Sequence, residues 1–271
     1  MRISLCNEVV AGLPFHEQAR LAAALGYDGL EVAPFTLDAE APHLLPAARR
    51  AELRRMAQEE GAPITSLHWL LLAPAGLSIT SADVTLRART LEVMQRLVGL
   101  AADLGATLLV HGSPKQRVVA AEGDAQRAEE AMAQAGGWAA QHSVTYCLEP
   151  LDAGQTNWAS SLAEAVEIVT RIGTPALKTM LDVSAAGNGE QASAAALLRR
   201  FIPGGQIAHV HLNDRNRRGP GQGRDAFRPV LDALQDCDYS GFCAVEPFDH
   251  HPDGATSAAR AIGYLRGILE T

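Results

Sequence analysis

The sequence predicts an α/β protein, a single (β/α)8 (TIM) barrel over residues 1–271, and three observations carry that prediction. Short apolar runs alternate with longer helical patterns eight times along the chain. The runs are apolar almost without interruption, as strands are when helices cover both faces of a parallel sheet. No composition break or long linker marks a second domain, and 271 residues suffice for one large barrel. An open doubly wound sheet is the alternative. A dinucleotide-binding version of it needs a glycine fingerprint after an early strand, and Asn7 to Leu13 offers one glycine.

Each element has a local reason. Ile3 to Cys6 is a strand that ends at Asn7-Glu8, and Pro14 opens a helix that Gly26 closes. Gly29 to Val32 is the second strand, with Pro34 barring its extension. A helix from Pro46 to Glu60 stops at Gly61, and Ile64 to His68 is the third strand. After a loop from Trp69 to Thr80, a long helix runs from Ala82 to Leu104 and is capped by Gly105. Thr107 to Val110 forms the fourth strand, followed by a helix from Asp124 to Gln141 that carries an unexplained Gly136-Gly137 pair. Val144 to Leu148 and Leu177 to Leu181 flank a helix from Ser160 to Arg171, with Ser160 or Ser161 as its cap. Glu190 to Phe201 is helical, Gln206 to Leu212 is the seventh strand, and Phe227 to Leu234 is helical again. Phe242 to Val245 and a helix from Thr256 to Leu269 complete the alternation.

Composition narrows the function. Apolar residues make up 47% and aromatics 5%, so the core is aliphatic, and the formal charge is -8. With no arginine cluster interleaved with aromatics, nucleic acid is not the expected partner. Cys6, Cys147, Cys237 and Cys243 have no paired spacing, which points to a reduced, cytoplasmic protein. The N-terminus reads as a strand rather than a leader peptide, and no run reaches the length of a membrane span.

The chemistry of such a barrel sits at the C-terminal ends of its strands. Those positions hold Glu8, Glu31, His68, His111, Glu149, Asp182, His211 and Glu246. Individually each has a plainer account, since a strand-end carboxylate can cap the next helix and a histidine can be packed in the core. The same holds for His209, which a spacing of two places on the face of His211. Together, several carboxylates around one mouth repel each other, and a divalent cation would offset that. Glu149, Asp182, His211 and Glu246, on four consecutive strands, form the strongest set. Three carboxylates and one imidazole suit Mn²⁺, Co²⁺ or Mg²⁺ better than structural zinc. Glu149 and Glu246 would flank a substrate and pass a proton between its faces. His68, His111 and Glu31 would bind hydroxyls and Arg217 would anchor the far end of a sugar. Trp69, read first as a loop residue, could stack on the sugar's apolar face.

The run Leu148-Glu149-Pro150-Leu151-Asp152, then Met180-Leu181-Asp182, then His209-Val210-His211-Leu212-Asn213-Asp214 with Arg217, then Gly221-Gln222-Gly223 and Gly241 through Glu246-Pro247, resembles the xylose-isomerase-like sugar isomerases and epimerases. It is most similar to their ketose 3-epimerase (D-tagatose 3-epimerase-like) branch, over essentially the whole chain. The resemblance implies metal ligands Glu149, Asp182, His211 and Glu246, proton transfer by the two glutamates, and substrate contact by Arg217. It also implies Mn²⁺ first, with Co²⁺ or Mg²⁺ as substitutes, a small sugar or polyol substrate, and a homodimer or homotetramer. Two positions depart from the pattern. Ala185 stands where the epimerases place a substrate-binding histidine, and Gln155, expected as a substrate contact, stands for a glutamate. The expected activity is therefore a metal-dependent isomerisation or epimerisation of a ketose or related sugar. A dehydratase or lyase acting on a keto-inositol or keto-glycoside, or a non-catalytic sugar-binding barrel, are the alternatives.

Overall fold

Eight parallel strands close on themselves in strict chain order in the computed structural model, which describes residues 1–270. They are β1 (Arg2–Cys6), β2 (Gly29–Val32), β3 (Ile64–Leu67), β4 (Leu108–His111), β5 (Thr145–Leu148), β6 (Leu177–Asp182), β7 (Ile207–Leu212) and β8 (Phe242–Val245). β8 closes the barrel by pairing with β1 from Arg2↔Phe242 to Leu5↔Val245. The barrel replaces the open sheet, because each strand has two hydrogen-bonded neighbours and none is an edge.

Around it run α1 (Phe15–Leu25), α2 (Ala47–Glu59), α3 (Val84–Leu104), α4 (Asp124–Gln141), α5 (Leu162–Ile172), α6 (Val183–Gly189), α7 (Ala194–Phe201), α8 (Arg228–Asp236) and α9 (Gly254–Leu269). Gly26 and Gly105 end α1 and α3 in the left-handed region, at φ 91° and 82°. Among the described residues no helix is long and apolar enough to cross a membrane.

One expected helix is corrected. The helix expected from Glu190 to Phe201 starts later, at Ala194 (α7), and a helix that was not expected, α6, precedes Glu190. The reason is capping. Asp182 Oδ1 accepts from Ala185 N at 2.6 Å and Asn213 Oδ1 from Ser184 N at 3.0 Å, so a helix starts directly after β6. Ser193 caps α7, while Glu190 accepts from Leu162 N at 2.7 Å at the start of α5.

The glycine pair in α4 gains an explanation for its first member. A Cβ on Gly136 would lie 2.8 Å from Thr174 Cγ2 and 2.9 Å from Leu177 Cβ, so α4 lies tight on the start of β6. Gly137 has open space around it. Gly136→Val is therefore expected to destabilise the protein by about 1–3 kcal/mol through overpacking. Gly137→Ala is expected to be neutral or stabilising by up to about 1 kcal/mol. Thermal denaturation of the two variants checks this.

Alternation along the strands places the chemistry. Leu30, Val32, Leu67, Leu109, Leu148, Leu181, Val210 and Leu212 belong to the main core between sheet and helices. Their neighbours in sequence face the barrel axis. There Leu108, Val110, Cys147 and Met180 form a small separate cluster, next to the polar Ser66, Glu31 and His209.

Candidate active site

Seven of the eight strand-end residues share the inward register of their strands, and the eighth does not. Glu31, His68, Glu149, Asp182, His211 and Glu246 follow this period of two, as does Glu8 on a short 3-10 turn after β1. His111 has the opposite parity, in step with Leu109. Its Nδ1 lies 2.8 Å from the hydroxyl of Tyr146, a residue of the main core. Burial, then the charge of Arg117, lower His111 to a pKa of about 3, so it is a neutral ring. The expectation that His111 meets a substrate hydroxyl is corrected accordingly: it is fully buried and does not line the mouth.

The inward position of β4 belongs instead to Gly112. A Cβ there would overlap Glu149 Oε2, so the missing side chain makes room for that carboxylate. Gly112→Ala is expected to displace Glu149 and lower kcat by at least about tenfold without loss of fold, which circular dichroism and initial rates will test.

Glu149, Asp182, His211 and Glu246 come together, with one ligand-capable atom from each within 4.8 Å of the others. His211 Nδ1 stands 2.8 Å from Glu246 Oε2, 3.4 Å from Glu149 Oε1 and 3.9 Å from Asp182 Oδ2. It is aligned as a hydrogen-bond donor to none of them. Burial raises Asp182 to about 6, with the charge of Glu149 adding to it. Burial also raises Glu246 to about 7, against the pull of His211. Crowded carboxylates forced towards neutrality, around a ring nitrogen with no aligned partner, fit a divalent cation.

Helix capping, the plainer reading of a strand-end carboxylate, is also realised at Asp182. Its Oδ1 caps α6, and Oδ2 accepts from Asn213 Nδ2 at 2.8 Å. Asn213 reaches Glu246 O as well, at 3.2 Å, and so ties two members of the cluster together. Sequence reading did not single it out, although it lies two residues past His211. Arg117 was also missed. Its fully buried guanidinium donates to Glu149 O at 2.7 Å, fastening the end of β5. Nothing in its loop sequence marks it as buried.

Above the cluster is an open cavity of about 70 Å³. Glu149 and Glu246 line it, whereas Asp182 and His211 do not. Trp69, Gln155 and Arg217 line it too, together with Phe248. The Arg217 guanidinium lies 4.9 Å from the Phe248 ring centre, and Trp69 packs edge-on to the same ring at 6.2 Å. Arg217 and Trp69 both have positive φ, 69° and 53°. Ala185 lies apart from this cavity, beside Ser160, Ser161 and Glu190.

His68 lines the cavity but has no free ring nitrogen. Nδ1 is 2.9 Å from Glu31 Oε1 and Nε2 is 3.0 Å from Glu8 Oε2. Burial opposes its charge, but Glu8 and Glu31 outweigh that and hold His68 at about 10. Glu31, expected to bind a hydroxyl, is fully buried below the mouth and absent from its lining, a second correction. A bulge-like shift in register between β2 and β3 falls at Leu30/Glu31.

A closed eight-stranded parallel barrel with this cluster at its mouth defines a class, and the family comparison agrees. Residues 19–268 match the model of the xylose isomerase-like TIM barrel, and the chain belongs to that family. Within it, the chain is 28% identical to the D-psicose 3-epimerase of Ruminiclostridium cellulolyticum, across 83% of this chain and 75% of the relative. It is 27% identical to the D-psicose 3-epimerase of Agrobacterium fabrum, across 83% and 76%. Among solved structures, a D-psicose 3-epimerase determined in the presence of D-fructose superposes with a TM-score of 0.85 at 22% identity, over all of both chains. The 3-keto-D-glucoside 4-epimerase of E. coli gives 0.82 at 21%, over 98% of this chain and 99% of that one.

Proposed function

We propose that this protein is a divalent-metal-dependent epimerase or isomerase of a ketose or related sugar, with Glu149 and Glu246 as its proton-transfer pair. One observation carries the reading: of the four clustered groups, only these two carboxylates line the cavity, while Asp182 and His211 sit beneath. The names of its relatives, sugar epimerases, support the reaction class. Glu149, Asp182, His211 and Glu246 would hold the ion, Mn²⁺ first and Co²⁺ or Mg²⁺ as alternatives. When bound, such an ion polarises a carbonyl and its neighbouring hydroxyl and so acidifies the carbon between them.

The chain's own groups account for the rest. One glutamate takes the carbon-bound proton and the other returns one, and for an epimerisation the return is to the opposite face. Arg117 and Gly112 fix Glu149 in place, and Asn213 fixes Glu246 through its carbonyl. The positive φ of Arg217 and its stacking on Phe248 aim a guanidinium at substrate oxygens. Trp69 and Phe248 offer apolar edges to the sugar, and Gln155 a polar group at the rim. Arg217→Ala is expected to raise KM about tenfold or more, the loss of a charge-assisted hydrogen bond, with metal content unchanged.

Incubating the Mn²⁺-loaded protein with ketoses and keto-inositols in heavy water, with mass spectrometry of the products, tests the reaction. Deuterium at one carbon of a ketose is the expected result. Release of water or an aglycone would instead assign a lyase, and no uptake by any compound would sink the proposal.

A further inference from the structure

We propose that Glu31 is the positioning residue of this cluster: its carboxylate holds the Nε2 proton of His211 and thereby turns the Nδ1 lone pair toward Glu149, Asp182 and Glu246. The inference rests on the metal-dependent reading above and extends it to a residue outside the cluster.

A neutral imidazole carries one proton, and the partner of one nitrogen decides what the other can do. His211 Nε2 is aligned with Glu31 Oε1 at 2.7 Å. An ionised carboxylate only accepts, so Nε2 is the donor and Nδ1 is left with its lone pair. The Glu31 oxygens are surrounded by Ser66 Oγ and the rings of His68, His209 and His211, groups that donate to a carboxylate. Nδ1 then points among three carboxylate oxygens with no donor aligned to it. That is the arrangement of an imidazole ligand whose far nitrogen is fixed by an outer carboxylate.

Glu31 is itself held on every side. Oε1 also meets His68 Nδ1 at 2.9 Å, while Oε2 accepts from Ser66 Oγ and lies 2.7 Å from His209 Nε2. Those partners come from β3, the residue that follows it, and β7, so the carboxylate bridges the barrel interior and is held against His211. The same contacts explain why Glu31 is unavailable to substrate.

The test is calorimetric titration of the wild type, Glu31→Gln and Ser66→Ala with Mn²⁺, after metal removal. Melting curves of the metal-free proteins check folding. Glu31→Gln is expected to weaken Mn²⁺ binding about tenfold to hundredfold. Ser66→Ala, which removes one of the two contacts of Glu31 Oε2, should weaken it by about two- to tenfold. In protein with ¹⁵N-labelled histidine rings, loaded with Zn²⁺ as a diamagnetic probe, His211 should show a hydrogen-bonded Nε2–H and a metal-bound Nδ1. Glu31→Gln should lose the former signature, which a merely structural role would not move. A folded Glu31→Gln that binds Mn²⁺ within twofold of wild type overturns the assignment to Glu31 alone. If that variant does not fold, unchanged Mn²⁺ binding by Ser66→Ala does the same. A wild type that binds no Mn²⁺ overturns the metal reading, and this inference with it.

Discussion

Glu246→Gln is expected to lower kcat by about 10²- to 10⁴-fold, the usual contribution of a positioned general acid or base, while the fold survives. The fold should survive because the protein already disfavours charge at this position. Glu246 is buried, and that burial raises its carboxyl to about 7. An amide of the same shape removes one like charge from the neighbourhood of Glu149 and Asp182, so the melting temperature of the metal-free protein should hold or rise. Turnover should not recover at any pH, because an amide neither accepts nor returns a proton. Steady-state kinetics beside a melting curve reads both effects. A variant as active as the wild type would remove Glu246 from the chemistry.

Chelation should abolish turnover and lower the melting temperature together. An ion bound only by the folded state, at about one hundred times its Kd, contributes about 2.7 kcal/mol. For a chain of this size that corresponds to a shift of about 5–10 °C. Without the ion, the carboxylates of Glu149, Asp182 and Glu246 crowd together around His211. Adding Mn²⁺ back should restore both rate and melting temperature. Full activity in protein shown to be metal-free would reject the metal-dependent reading.

Much of this site was legible because a barrel displays its chemistry at regular intervals. Glu149, Asp182, His211 and Glu246 could be read off as strand ends, and the structure brings those four side chains together. What the strand ends did not reveal was parity. His111 closes its strand as the others do, but it is one residue out of step and faces the helices, where Tyr146 receives it. Counting in twos from Leu108 and Val110 would have selected Gly112, a residue that acts by lacking a side chain. Glu31 was found for its position but given the wrong neighbours, since depth within a barrel is not written in the order of residues. Arg117 and Asn213 lie in loops, where no periodicity predicts burial. The unexpected helix α6 has the same origin. Asp182 and Asn213, eligible for the site, also cap a helix, and the sequence does not announce a residue with two duties.

The order of the strands has a consequence for biosynthesis. β8 is the strand that closes the barrel against β1, and Glu246 follows it directly. While the chain emerges from its N-terminal end, β1 waits with an unpaired edge, and Glu149, Asp182 and His211 are made before their fourth partner exists. The complete cluster is thus a property of the finished protein, and an ion that needs all four groups would load after closure. A nascent or truncated chain lacking β8 would bind such an ion weakly and expose two open sheet edges to self-association.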